Sequence, residues 1–286
     1  MKKAIILLGL ILFVSCSNRE TIVDKTTLLG VDYRLFQSTI VWDLAKAVED
    51  GNTRKIKYLV QEKKLSVDFQ EERFGQTLLL IAVSRNQKKT VKTLLELGAD
   101  PNKKDTYSGT SPIIEASGRI GFSSDNPHVL KLLLQYGGNP GDVEIGGWRT
   151  QGAQETPLIK ASMYSLEKVK LLVEAGADVN YTNTLGSPLG YALLFEKMDI
   201  VLYLLEHGAD FISPVRFGLE QEPRYICEEL QLCVVPKGSK SYKDKMKIKS
   251  FLMERGVDCR NTPITDFFLQ KIQRLYPKSW REYLED

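Results

Sequence analysis

Histidine and cysteine are scarce in this chain: two of the first and four of the second among 286 residues. No pair of them stands at the spacing of a zinc site, so metal and imidazole chemistry has little to draw on. His207 falls just before a predicted helix end, where an imidazolium faces the negative end of the helix dipole. Nothing near it in sequence completes a catalytic triad. His128 follows Pro127 at a predicted helix start and reads as a cap or a packing residue. Also missing are a G-x-x-x-x-G-K phosphate loop, a G-x-G-x-x-G fingerprint and a G-x-S-x-G elbow. An enzyme therefore has no motif behind it, and neither a cofactor nor a small-molecule substrate is expected. A long apolar run is absent too. Ala4 to Val14 gives eleven residues, whereas a spanning helix needs about 20. Charge of one sign is not in excess either: the formal net charge is +3, or +1 without Lys2 and Lys3. No global field for nucleic acid follows, and no nucleic-acid partner is expected.

The first residues, MKKAIILLGLILFVSC, join a basic pair to a short apolar core, which is the pattern of an export signal. Ser15 followed by Cys16 resembles the lipobox of bacterial lipoproteins, with Phe13 where that motif commonly has leucine. The resemblance implies cleavage after residue 15 and lipid on Cys16. Ser17 in the next position implies sorting to the outer membrane, facing the periplasm. An ordinary secretory signal with a chance cysteine is the alternative. Residues 16–40 have scattered apolar side chains and read as a tether; Leu28, Leu29, Tyr33 and Phe36 would instead suit a strap packed on the helices after it.

The centre of the chain repeats itself. Thr156 to Asn180 reads TPLIKASMYSLEKVKLLVEAGADVN. Thr156 is a natural N-cap and Pro157 a natural first helical residue. Val169, Leu172 and Val173 continue at helical spacing, and Gly176 supplies the left-handed residue that ends the second helix. Related stretches begin at Thr77, Ser111 and Ser187, and Gly98, Gly137 and Gly208 close them. One such unit cannot bury its apolar face alone and needs copies beside it. These linked units resemble ankyrin repeats, whose signature is T-P-L-H-x-A. Leu80, Ile114, Ile159 and Gly190 replace the family histidine in turn. The resemblance implies an all-α solenoid of helix–turn–helix units with short hairpin fingers over residues 41–210, about five repeats. Val41 to Gln70 is a degenerate first repeat, whose Lys55, Lys57, Lys63 and Lys64 give an end repeat the polar outer face it requires.

Two additions interrupt the pattern. The third unit is longer by five residues, in the stretch RIGFSSDNP, and a Gly-rich loop lies between Gly137 and Thr156. Trp148 in that loop is either folded back over the neighbouring finger or exposed as an anchor for a partner. Residues 211–286 read as an expanded, degenerate repeat with helices over Arg224–Leu232 and Tyr242–Arg255, followed by a helical cap broken at Pro277. Cys227 and Cys233 could join only if the first of these helices ended before Cys233, and buried free thiols are the alternative. The lysines from Lys237 to Lys249 read as a solvated face, or as a contact with anionic headgroups.

In the ankyrin family partners lie on finger tips and on the concave face of the first helices. By position this implies Arg73, Phe74, Tyr107, Trp148 and Arg149 on fingers. On the concave face it implies Arg85, Arg119, Met163, Tyr164, Leu194 and Phe195. Tyr164 and Leu194 have packing between repeats as an alternative. The expected function is a non-enzymatic protein-binding module, lipid-anchored at a bacterial envelope, whose protein partner the sequence does not name. Some lipid-anchored ankyrin proteins similar to this one are immunity proteins that block a toxin such as a secreted phospholipase, which gives a more specific alternative.

Overall fold

The computed structural model describes residues 19–118, 126–145, 154–218 and 220–284. Five helix pairs follow one another: α1 (Trp42–Glu49) with α2 (Thr53–Gln61), α3 (Leu78–Ser84) with α4 (Lys88–Glu96), α5 (Pro112–Ser117) with α6 (His128–Gln135), α7 (Pro157–Ser162) with α8 (Leu166–Glu174), and α9 (Pro188–Leu194) with α10 (Met198–Glu206). The caps are chemical. Thr77, Thr156 and Ser187 hydroxyls accept the backbone N–H three residues on, at 3.1, 3.2 and 3.3 Å. Such a cap is worth about 1 kcal/mol.

The first helices stack on one another as an inner layer and most of the second helices as an outer layer. Small inner-layer residues (Ala45, Ala82, Ala116, Ala161 and Ala192, all buried) let those helices approach closely. Leu and Val side chains from both layers form one continuous core from Leu28 to Leu252. Each fully buried leucine contributes about 1.5–3 kcal/mol that no single repeat could secure alone.

A side-chain ladder runs across the turns. Asp68 accepts the Asp100 N–H at 3.1 Å, Asn102 that of Asn139 at 2.7 Å, and Asn180 that of Asp210 at 2.8 Å. Asn139 departs from this: it turns onto its own loop and accepts from Gly141. At the same place α6 and α8 touch less than α2 and α4 or α4 and α6 do. The inner layer stays continuous there through α5 and α7. Lys168 of α8, almost wholly buried, reaches across to donate to the Gly118 carbonyl at 2.6 Å.

From Arg19 to Ile40 the stretch expected as a tether is a packed strap. Leu35 and Phe36 are buried in the core. Gln37, also buried, accepts the Val23 N–H at 2.9 Å and donates to the Thr21 carbonyl at 2.9 Å. Tyr33 stacks on Trp42 at 5.6 Å, and the Trp42 indole donates to Glu20.

Beyond Asp210 the chain departs from the expected pure helix. β1 (Arg216–Phe217) and β2 (Pro223–Arg224) form an antiparallel hairpin. Arg224 therefore belongs to a strand, and α11 runs only over Ile226–Leu232. The Val215 N–H donates to the Arg224 carbonyl at 2.9 Å, which holds Arg224 extended. α11 packs on α9, and α12 (Lys240–Met253) packs on α10, so the pair is a sixth repeat. α13 (Asp266–Leu275) and a 3-10 turn over Trp280–Tyr283 lie over Val234. Cys227 is bonded to Cys259, and Cys233 is a buried free thiol. The bridge thus joins α11 to the end of the sixth repeat and leaves aside the Cys227–Cys233 pairing weighed from the sequence.

Candidate functional site

Of the residues implied by the family pattern, Arg73 and Arg85 are committed elsewhere. Arg73 donates to the Leu28 carbonyl at 3.0 Å and to that of Lys25. Arg85 donates to the Val31 carbonyl at 3.0 Å and pairs with Glu49. Both fasten the strap rather than offering a free cation to a partner. Burial lowers the affinity of Arg85 for its proton, while Asp32 and Tyr33 oppose that shift. Phe74 is half-buried against the core and meets Tyr107 edge-on at 5.2 Å, so the tips of these two fingers brace each other. Cys16, Arg119, Trp148 and Arg149 lie outside the described residues.

Repeats four and five do bring the remaining residues together. α7 ends at Ser162 and α9 at Leu194, so the residues after them fall side by side on the inner layer. Met163 is buried with Ile159 and Tyr191 and serves as a floor rather than a contact. Tyr164 packs partly on that floor and meets Phe195 edge-on at 5.7 Å. Leu194 is 47% exposed and Phe195 40% exposed. Tyr191 lies beneath: burial raises its phenol pKa, which the Asn183 amide, donating to its oxygen at 3.3 Å, partly offsets.

Leu194 also forms one wall of a groove of about 1170 Å³ between α9, the hairpin and the start of α13. Leu185, Phe217, Pro223, Leu232 and Phe267 supply apolar lining. Phe267 is 66% exposed. Ion pairs stand around the groove's rim, together with Glu220 and Glu228, which make no ion pair among the described residues. Lys271 bonds Glu196 at 2.8 Å and the Leu232 carbonyl at 2.6 Å, and Arg216 bonds Glu229 at 2.8 Å. This is a wide, mainly apolar trough with an acidic excess on its rim, suited to a side chain or helix face of another protein. Sequence patterning missed the groove because its walls come from segments up to 82 residues apart, Leu185 to Phe267. The one signal was Phe267 itself, an aromatic beside Phe268 where only one of the two can face inward.

Among the described residues no group of three or more His, Cys, Asp or Glu is placed to hold a metal, and no helix is long and apolar enough to cross a membrane.

Residues 12–105 and 119–214, more than half of the chain, match the family described as ankyrin repeats in three copies. The chain belongs to the ankyrin-repeat family. It is similar to human ankyrin repeat and SOCS box protein 6, at 26% identity over 242 residues. That match takes in 77% of this chain and 52% of the relative. It is similar to mouse neurogenic locus notch homolog protein 1 at 31% identity over 56% of this chain and 6% of that one. The chain thus spans about half the length, or far less, of these curated relatives. The crystal structure of EF0377, an ankyrin repeat protein, superposes with a TM-score of 0.55 at 26% identity, over 74% of this chain and 98% of that one. Ankyrin repeats are protein-interaction modules and generally non-enzymatic, and the paired helices of this chain have that architecture.

Proposed function

We propose that this ankyrin protein grips a protein partner through the inner face of repeats four and five, continued by the groove beside the hairpin. One observation carries the reading: Tyr164, Leu194 and Phe195 stand together on an open face and lead into an apolar trough. Binding energy concentrates in a few such aromatic anchors. Tyr164→Ala and Phe195→Ala should each weaken the partner by about 2 kcal/mol, roughly thirtyfold. Lys243→Gln, exposed on α12, should leave it bound. The measurement is co-purification from the native cell envelope, with circular dichroism to confirm the fold. Retention by both aromatic variants, with loss in the lysine variant, would move the site to the C-terminal module.

The same proposal places the chain at a bacterial envelope through lipid on Cys16, supported by the basic pair, short apolar core and Ser15–Cys16 of the sequence. Metabolic palmitate labelling should disappear in Cys16→Ser. In its narrower form the partner is a secreted toxin, such as a phospholipase, that this face blocks. An export signal joined to a binding module supports that form. Protection of cells from such a toxin by wild type but not by Tyr164→Ala tests it.

A further inference from the structure

The outer face of the first two repeats takes no part in that grip, and it is strongly basic. α2 exposes Arg54, Lys55 and Lys57, and the chain just after it exposes Lys63 and Lys64. α4, packed beside α2, exposes Lys89 and Lys92 and half-buries Lys88. Against these eight cations stand Glu62 and Glu96, and Glu96 is shared between Lys57 at 3.4 Å and Lys92 at 3.8 Å. In the middle of the outer layer the sign changes, before α12 turns basic again with Lys240, Lys243 and Lys247. α8 and α10 carry Glu167, Glu174, Asp199 and Glu206, against Lys170 and the buried Lys168. A chain whose formal charges nearly cancel thus alternates them along its outer layer, and a local basic field exists at α2 and α4 where the total shows none.

Two observations say what this face meets. Tyr58, 50% exposed, stands among the lysines, with the Lys63 ammonium 5.7 Å from its ring centre. Tyrosine with lysine is the pairing found where protein meets lipid headgroups. The strap also begins at this end. Arg19 bonds Asp50 at 2.7 Å, and Asp50 stands two residues before Asn52, the cap of α2. Cys16 and the apolar run Ala4 to Val14 lie just ahead of Arg19 in sequence. Three residues reach at most about 10 Å.

We propose that the basic outer face of α2 and α4 docks on an anionic lipid surface. Each lysine held near such a surface raises partition about fivefold, and the attraction fades within a Debye length. Docking by the outer layer leaves the inner layer, with Tyr164 and Phe195, turned toward solution. The inference extends the proposed envelope location, but its test needs no lipid on the chain.

The experiment uses the full chain with Cys16→Ser and vesicles of phosphatidylcholine, with or without phosphatidylglycerol. Partition onto the anionic vesicles should exceed that onto neutral ones by about a hundredfold at low salt. It should approach the neutral value at about 1 M salt, where screening leaves a reach of about 3 Å. Adding Lys55→Glu, Lys57→Glu, Lys89→Glu and Lys92→Glu together should abolish the difference, and the same four changes to Gln should reduce it. Circular dichroism identifies any variant that fails to fold, and the Gln set then decides. Lys243→Glu with Lys278→Glu, at the other end of the molecule, should leave the difference intact. Three results would overturn the proposal: equal partition onto both vesicles, loss only in the Lys243 and Lys278 variant, or preferential capture by a single-stranded oligonucleotide added in competition.

Discussion

An added Cβ at Gly190 would lie 2.0 Å from the Val215 carbonyl oxygen. That oxygen accepts the Ser187 N–H at 3.0 Å, so the segment leading into β1 lies directly on the first turn of α9. The family histidine gives way to glycine here because backbone occupies its space. Gly190→Ala should push the hairpin away, expose the Ser187 and Val215 amides to hydrogen exchange, and open the groove. Gly176 makes a contrast: its φ is +93° and nothing lies within 4 Å of an added Cβ. Gly176→Val there adds only backbone strain, about 1–2 kcal/mol, read as a lowered Tm with the hairpin amides still protected. Glu115 supplies a pH-dependent case. Burial raises its pKa, partly offset by Lys160, while the Glu144 and Asp105 carboxylates add to the rise. Burial alone would lower the pKa of Lys160, but Glu144 and Glu155 outweigh it and keep the ammonium charged. Between the ordinary glutamate value and the raised one, the folded chain holds the Glu115 proton more tightly than the unfolded chain. Stability therefore falls as pH rises through that window. Glu115→Gln should raise Tm at pH 7, and its advantage should shrink as pH falls toward about 4.3.

Helices, caps and closing glycines were legible in the sequence because each is set within a few residues, by Thr156 with Pro157 or by Gly176. The strap and the hairpin were not, because their partners are distant. Gln37 binds backbone 16 residues back, and Arg85 binds a carbonyl 54 residues back. Those two side chains make the strap an element that one substitution can release. Gln37→Ala should remove its bonds to the half-buried Val23 N–H and the exposed Thr21 carbonyl, each worth about 0.5–1.5 kcal/mol. Limited proteolysis should then cut between Arg19 and Ser38 while the repeats stay folded. The disulfide acts at the same scale. Closing a 32-residue separation stabilises by roughly 3–4 kcal/mol on the chain-entropy account. Cys259→Ser should lower the melting of the sixth repeat by that order. Cys233 should stay unlabelled by thiol reagents in the folded protein. Burial pushes its thiol up to about 12, and its Sγ lies 3.2 Å from the Leu193 and Glu229 carbonyls.

For the molecule as a whole, the two layers are not equally continuous. The outer one is thinner between α6 and α8 than between α2 and α4, and Asn139 leaves the side-chain ladder at the same joint, while α5 and α7 remain packed. Mechanically this is a strip with one face weakened. Bending stiffness there rests mostly on the inner face, so compliance is greater at this line, with three repeats on one side and the rest on the other. The radius of the inner face, and with it the span a partner must match, then depends most on the angle at this joint. Spin labels at Lys131 and Lys170, across the joint, should report a broader distribution of distances than labels at Lys57 and Lys92, across an intact one. A partner seated on Tyr164 and Phe195 should narrow the first distribution and leave the second as it was.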